Sequence, residues 1–353
     1  MSEPVIQIGE RQIGPGHPVY IVAEMSANHG HSLERALELV HAMKDSGADA
    51  CKVQTYRPDT VTIDSDAGNF RVGGTIWKGR KLFDLYEEAF TPWEWQPEIK
   101  EEAEKLGLDF FSTPFDATAI EFLQDLGVVA HKVASFENVD LPLLRRIAAT
   151  GKPIIMSTGM ATLAEIDEAV RTLAEAGGEE IVLLKCTSAY PAPVDEMNLR
   201  TLPHLAQAFG VPVGLSDHSM ELAVPVTAVG LGACVVEKHL TLDRAVPGPD
   251  SEFSLEPDEF RAMVDAVRTT ERALGRVDYG VAPSERDSRA LRRSLFVVRD
   301  VRAGERFTEE NVRSIRPGDG LHTRVLDVVL GRPAPRDIGR GTPLSWDLVM
   351  GGQ

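Results

Sequence analysis

Eight times between Val19 and about Gly275 a short, β-rich apolar run is followed by an amphipathic helical segment, and this repetition leaves the chain few architectures. The runs are VYIVAEM ending at Met25, ACKVQTY at Tyr56, LDFFSTPF at Phe115 and VVAHKVAS at Ser135, then PIIMSTGM, IVLLKCTS, VPVGLSDHS and CVVEKHLTL. Between them, segments such as SLERALELVHAMKDSG and TLAEIDEAVRTLAEAGG place apolar residues three and four apart and close on Gly. Eight parallel strands with helical crossovers predict a closed (β/α)8 TIM barrel over residues 1–275. A doubly wound open sheet needs no eight repeats and carries a Gly-rich turn after its first strand, a turn this chain lacks.

Two stretches fall outside the repeat. Between Arg57 and Thr91 the second unit is lengthened by a segment containing Gly73-Gly74, Trp77 and several basic residues. An insertion this long in a compact domain serves either as a lid over a site or as packing. After the last helical pattern, residues 276–289 are polar and irregular and read as a linker. Residues 290–353 then form a second, small domain of short strands broken by the related turns RAGERF and GRGTPL. A unit of this size has little core of its own and is expected to dock on a barrel.

Composition removes several classes of function. The formal charge of −17 opposes non-specific binding to nucleic acid or to an anionic membrane, both of which need a basic surface. The cations for any anionic substrate must therefore be local. The three cysteines, Cys51, Cys186 and Cys234, are widely spaced in apolar text, as expected of buried thiols in a cytoplasmic protein rather than of a disulfide framework. The N-terminal text has no basic and apolar leader pattern, and no apolar run approaches the ~20 residues that span a bilayer.

Barrel enzymes work at the C-terminal ends of their strands, and here nearly every strand end is polar. Glu24 and Asn28 follow the first, Lys52 and Gln54 lie in the second, and Ser112 and Thr113 end the third. Lys132, Ser135 and Glu137 belong to the fourth, Ser157 and Thr158 to the fifth, and Lys185, Thr187, Ser188 and Tyr190 to the sixth. The seventh ends Ser216-Asp217-His218 and the eighth Glu237-Lys238-His239. Any one of these could be a hydrogen-bonded layer residue; eight strands alike point to a site. Side chains alternate along a strand, so Lys52 shares a face with Gln54, and Glu237 with His239, while Lys238 faces the helices.

Lys52 and Lys132 are the expected clamp for a phosphate and a carboxylate, because a compact ammonium suits a multiply charged ligand. His218 and His239 stand on adjacent strand ends and could hold one divalent ion, with Glu24 and Gln54 able to approach it. A metal with open positions there could polarise a sugar aldehyde. No G-x-S-x-G elbow supports a serine hydrolase. A Schiff-base aldolase using a strand lysine such as Lys185 stays open, as does a non-catalytic carbohydrate-binding barrel.

The phrases IVAEMSANHG, KVQTY, FSTPF, HKVASFEN, MSTGM, KCTSAYP, GLSDHS and EKHLTLD occur in the order and spacing of the sialic acid synthases that end in an antifreeze-like (SAF) domain. The chain resembles that family over essentially its whole length. Within it, AEMSANH, the GGTIWKGRKLFDLYEEAFTPWEW insertion, LKCTSAYP and GPDSEFSLEPDEF are most similar to the pseudaminic acid synthases; the alternatives are N-acetylneuraminate and legionaminate synthases. The resemblance implies condensation of phosphoenolpyruvate with an amino sugar, here a 2,4-diacetamido-2,4,6-trideoxy-hexose, with release of phosphate. It implies metal ligands at His218 and His239, for manganese, magnesium or cobalt, and phosphoenolpyruvate contacts at Lys52, Thr113, Lys132, Ser135, Ser157, Ser188 and Ser216, with Glu237 nearby. The Ser188 position is often Asn in the family. Glu24, Gln54, Glu137, Tyr190 and Asp250 fall near the sugar or the metal, with Glu24 expected to activate water. Arg316, in SIRPGDGL, matches an arginine that reaches into a partner's barrel, which implies a domain-swapped homodimer. Phe136 replaces a commonly small residue and is expected to meet the 6-methyl group of a deoxy sugar.

Overall fold

The structure, a computed structural model, describes residues 4–351 and divides into two compact units, residues 1–275 and 276–353. The first begins with an antiparallel hairpin, β1 (Ile6–Ile8) and β2 (Arg11–Ile13). Eight strands follow: β3 (Tyr20–Glu24), β4 (Ala50–Thr55), β5 (Asp109–Pro114), β6 (His131–Val133), β7 (Ile154–Ser157), β8 (Ile181–Cys186), β9 (Val213–Asp217) and β10 (Val235–His239). They are parallel neighbours in chain order, and β10 pairs back onto β3, which closes the barrel that the eightfold repeat predicts.

The strands are shorter than their apolar runs: the second run ends its ladder at Thr55 rather than Tyr56, and the fourth at Val133 rather than Ser135. The last residues of these runs turn out of the sheet, which aims their side chains over the barrel's end. Helices close the outside for the reasons their text suggests. In Leu33–Asp45, Ser32 Oγ accepts from the Arg35 N–H at the N-terminus, and Ala36, Leu39, Val40 and Met43 form the buried stripe. Thr162 and Glu165 make a reciprocal capping box at the start of Leu163–Glu175.

The N-terminal hairpin covers the end of the barrel where the strands begin. Ile6, Ile8 and Ile13 join the main apolar core, and Arg11 pairs with Asp109, the first residue of β5, at 2.7 Å. Gly9, at the hairpin's turn with φ 57°, stands where a Cβ would lie 2.7 Å from Asp109 Oδ1, so both the turn and the approach require glycine. Within the barrel, Gly214 of β9 does similar work: a Cβ there would lie 2.7 Å from Leu184 and 2.5 Å from Val235 O. Its absence lets two large apolar residues fill that layer.

In the second unit β11 (Ser294–Val297) pairs antiparallel with β12 (Val312–Ile315). Leu295, Val297, Phe307, Val312, Ile338 and Leu344 are among the residues of its own core. Among the described residues no helix is long and apolar enough to cross a membrane, and all three cysteines are buried.

Candidate active site

The C-terminal end of the barrel holds a cavity of about 360 Å³. Strand parity builds its floor. Lys52 and Gln54 of β4, Thr113 of β5, Lys132 of β6, Ser157 of β7, Cys186 of β8, Ser216 of β9 and Glu237 and His239 of β10 all line it, with His218 just beyond β9. Ser135, Phe136, Glu137, Tyr190 and Asp250 complete the walls from the loops.

Two lysines lie at the bottom, both almost inaccessible. Lys132 Nζ donates to Ser157 Oγ at 2.7 Å and to Val133 O at 2.8 Å. Lys52 is ion-paired with Glu24, its register partner on β3, lies 3.6 Å from Glu237 Oε1, and reaches Thr113 Oγ1 at 3.4 Å. Burial opposes the charge on Lys52, but Glu237 and Glu24 outweigh it and hold the ammonium's pKa above its usual value. Glu24 itself is fully buried and does not line the cavity; its Oε1 accepts from the Ser26 N–H at 2.9 Å and Gln54 Nε2 at 3.3 Å. Burial, reinforced by Glu237, pushes its pKa up despite Lys52. The expected water-activating carboxylate thus stands behind Lys52.

A polar chain continues from Glu24 along one wall. Gln54 Nε2 donates to Ser26 Oγ at 2.9 Å, and Ser26 Oγ donates in turn to Asp250 Oδ2. On the opposite side the Gly159 N–H donates to Ser135 Oγ at 3.1 Å. A Cβ at Gly159 would lie 2.2 Å from Ser188 Oγ and 2.6 Å from Ser135 Oγ. Ser188 does not line the cavity; it packs behind Gly159 and Cys186, with its Oγ 3.7 Å from Cys186 Sγ. Glu137 keeps Oε2 buried without a partner, and burial pushes its pKa up to about 7 against the pull of Lys132.

His218 and His239 face each other with ring centroids 5.4 Å apart. His218 Nδ1 lies 3.2 Å from Thr187 O, a contact that leaves Nε2 as the free lone pair when Nδ1 carries the proton. His239 Nδ1 is buried without a partner, and burial, then His218 and Lys52, push its pKa far down, so the ring is neutral and able to bind a cation. Among the described residues no third His, Cys, Asp or Glu completes a metal cluster with them. The pair fits an ion that leaves most of its positions to substrate oxygens and water, the pattern of a catalytic rather than a structural site.

The insertion roofs this floor. Val61, Val72, Thr75, Trp77, Leu85 and Tyr86 line the cavity from above, and Trp77 Nε1 donates to Pro249 O at 2.8 Å. Its ring packs against Tyr190 at 5.4 Å, which lies 4.5 Å from His218 and 5.0 Å from Phe253. Of the two roles open to the insertion, that of cover over the site is the one the structure bears out.

Lys238 faces outward, as its parity predicts. Lys185 is on the outer face of β8 as well, donating to Cys186 O and Thr187 Oγ1, and does not line the cavity. Arg316 lies exposed in the second unit, next after β12. Sequence reasoning did not single out Ser26, Gly159, Cys186 or Phe253 as contributors, and it named Trp77 only as part of the insertion. Only Gly159, beside Ser157 and Thr158 at a strand end, carried a usable signal.

Residues 39–279 match the NeuB family and residues 292–350 the SAF domain. The chain belongs to the NeuB family. Within it, the chain is 47% identical to a pseudaminic acid synthase of Campylobacter jejuni subsp. jejuni, over 92% of this chain and 95% of that one. It is 42% identical to a pseudaminic acid synthase of Helicobacter pylori, over 94% and 97%. The crystal structure of an N-acetylneuraminic acid synthetase from Leptospira borgpetersenii is similar with a TM-score of 0.73 at 31% identity, covering 81% of this chain and 95% of that one. The sialic acid synthase resemblance with its SAF ending is therefore borne out for a NeuB chain carrying both parts.

Proposed function

We propose that this NeuB chain is a pseudaminic acid synthase that condenses phosphoenolpyruvate with a 2,4-diacetamido-2,4,6-trideoxy-hexose of the altrose type and water, releasing phosphate. The observation that carries this reading is the meeting of two buried lysines and a histidine pair on one barrel floor. Lys52 and Lys132, with Thr113, Ser135, Ser157 and Ser216, bind the carboxylate and phosphate, while the Gly159 N–H holds Ser135 Oγ and Ser188 packs behind Gly159. His218 and His239 would hold a divalent ion, manganese, magnesium or cobalt, which when bound supplies Lewis-acid polarisation of the sugar's aldehyde oxygen.

Charge balance supports the need for further cations. Lys52 and Lys132 are matched by Glu24 and Glu237, so a multiply anionic ligand finds no net positive charge in the protein floor alone. A divalent ion supplies part of it, and Arg316 of a second subunit the rest. The anion also competes with Glu24 for Lys52. Once Lys52 turns to it, the Glu24 carboxylate is uncovered and, oriented by Gln54, takes a proton from water.

C3 of the enol joins the aldehyde carbon, leaving an alkoxide there and a cation at C2; water adds at C2 and gives one proton to Glu24, which passes it on to the alkoxide; the C2–O bond to phosphate then breaks as the C2 hydroxyl gives its remaining proton to the departing phosphate and becomes the ketone. Glu237, which presents an unpartnered Oε2 to the floor, faces the positive charge developing at C2. Phe136, 59% exposed at the mouth, meets the 6-methyl group, and Glu137, Tyr190 and Asp250 position the acetamido sugar.

Phosphate release from phosphoenolpyruvate, measured with 2-acetamido and 2,4-diacetamido hexoses with and without chelator, tests this. The diacetamido trideoxy sugar is expected to be the best acceptor and chelator to stop release. Preference for N-acetylmannosamine would move the reading to an N-acetylneuraminate synthase, and silence with every sugar plus metal would end it. A swapped homodimer is supported by the exposed apolar side chains of Phe136, Val139, Met160 and Leu163 after β6 and β7. Mixing inactive Arg316→Ala and His239→Ala chains is expected to restore activity, because one hybrid site then carries neither change.

A further inference from the structure

The outer faces of β9 and β10 carry a second pair of opposite charges that the reaction above does not use. Asp217 and Lys238 are register partners across these parallel strands, both are within 2% of full burial, and Lys238 Nζ donates to Asp217 Oδ2 at 2.8 Å. The same ammonium donates to Ser219 O, while Asp217 Oδ1 accepts from the Ser219 N–H at 2.8 Å. Both the N–H and the C=O of the residue after His218 are thereby held, one by its own strand and one by the neighbouring strand.

Alternation puts each outward charge between two inward functional groups. Asp217 separates Ser216 from His218, and Lys238 separates Glu237 from His239. We infer that the Asp217–Lys238 ion pair is a positioning clasp that sets the register and separation of His218 and His239, an inference that rests on the reading of those two as the holders of a divalent ion. A one-residue slip between β9 and β10 would turn one histidine out of the barrel, and an unmatched buried charge at either position opposes that slip.

The surroundings favour this role over simple stabilisation. The pair faces a small cavity of about 220 Å³ whose walls are mostly apolar, Met220, Leu222, Pro225, Leu255 and Met263, with Glu221 and Glu259 beside them. Among such neighbours, two well-packed apolar side chains hold a sheet together as well as a buried ion pair does. What they do not do is tie the Ser219 peptide to the neighbouring strand. Loss of groups hydrogen-bonded directly to ligating histidines lowers metal affinity by about 10–100-fold in general, and the clasp acts on His218 through the next peptide.

The test uses the full chain carrying Asp217→Asn with Lys238→Met, which removes both charges together. Expected are a thermal midpoint near that of the parent, Mn2+ binding by the chelator-stripped protein weakened about 10–100-fold by electron paramagnetic resonance of free Mn2+, and a similar loss in kcat. KM for phosphoenolpyruvate should change less than Mn2+ affinity does, since Lys52 and Lys132 sit on β4 and β6 and of the anion-binding side chains only Ser216 lies on β9; a general loosening of the fold would move both alike. A folded double variant with Mn2+ affinity and kcat both within about threefold of the parent overturns the clasp. If the double variant does not fold, Asp217→Asn alone, isosteric and still an acceptor for the Ser219 N–H, is judged by the same limits. If the parent protein binds no Mn2+, the metal reading is what has failed, and the clasp then stands or falls on the kcat and KM split.

Discussion

The backbone N–H of Gly159 donates to Ser135 Oγ, and there is no room for a methyl group between them. Both hydroxyls crowded by such a methyl, those of Ser135 and Ser188, can rotate, so Gly159→Ala is expected to fold while losing the arrangement of anion-binding groups. KM for phosphoenolpyruvate should rise at least about tenfold, the loss of one or two hydrogen bonds to a charged group, with the thermal midpoint within a few degrees of the parent. Steady-state kinetics and a melting curve check both halves.

Glu24 and Lys52 should separate cleanly in kinetics. Glu24→Gln removes the proton acceptor, and a kcat lower by about 10²–10⁴ is expected. It also frees Lys52 for the anion, so KM for phosphoenolpyruvate should not increase. Lys52→Met should raise that KM instead. A Glu24→Gln enzyme with full kcat would remove Glu24 from the chemistry.

Two buried groups set opposing pH limits on stability. His131 on β6 is fully buried with neither ring nitrogen paired, and burial, followed by Lys152, holds its pKa down at about 4. Its folded pKa lies below the unfolded value of about 6.5, so its contribution is intact above pH 6.5 and is lost as pH falls toward 4, up to about 3 kcal/mol. His131→Leu should flatten the acid side of a urea-melt series. Glu137 runs the other way: with a folded pKa raised to about 7, it costs nothing below the unfolded value and increasingly more as pH rises through 7. Glu137→Gln should be the more stable protein at pH 8 and not at pH 4.

Trp77 joins the roof to the loop after β10 through a hydrogen bond to Pro249 O and a ring contact with Phe253, and to the loop after β8 through a ring contact with Tyr190. Trp77→Ala forfeits both kinds, about 1.5–2.5 kcal/mol together, and KM for the sugar is expected to rise by about one order of magnitude. Trp77→Phe keeps the ring and loses only the N–H, so its increase should be several times smaller. Equal effects would show that the hydrogen bond, not the ring, holds the roof.

The barrel was legible because its strands are apolar runs with polar ends and most of its helices carry a 3.6-residue pattern, some with a clear cap such as Ser32 or Thr162. That Lys52 shares a face with Gln54, and Glu237 with His239 opposite to Lys238, followed from period two alone. Less legible was whatever depends on neighbours remote in sequence. The strands Ile6–Ile8 and Arg11–Ile13 are too short to show alternation, and their place is set by Asp109. Glu24 reads as an accessible strand-end acid, and only its pairing with Lys52 across the register puts it out of reach. Trp77 and Phe253 find their partners through loops whose course no local pattern specifies.

The hairpin that covers the strand beginnings leaves the barrel open at one end, and that end is roofed by the insertion. Traffic through the site therefore runs in a single file. On the proposed reading, a ligand seated on the lysines arrives before one seated above it, and whatever is released at the floor leaves after the mouth has cleared. Sequence of entry and exit is in this way a property of the vessel's shape, and it would persist even if every affinity along the way were changed.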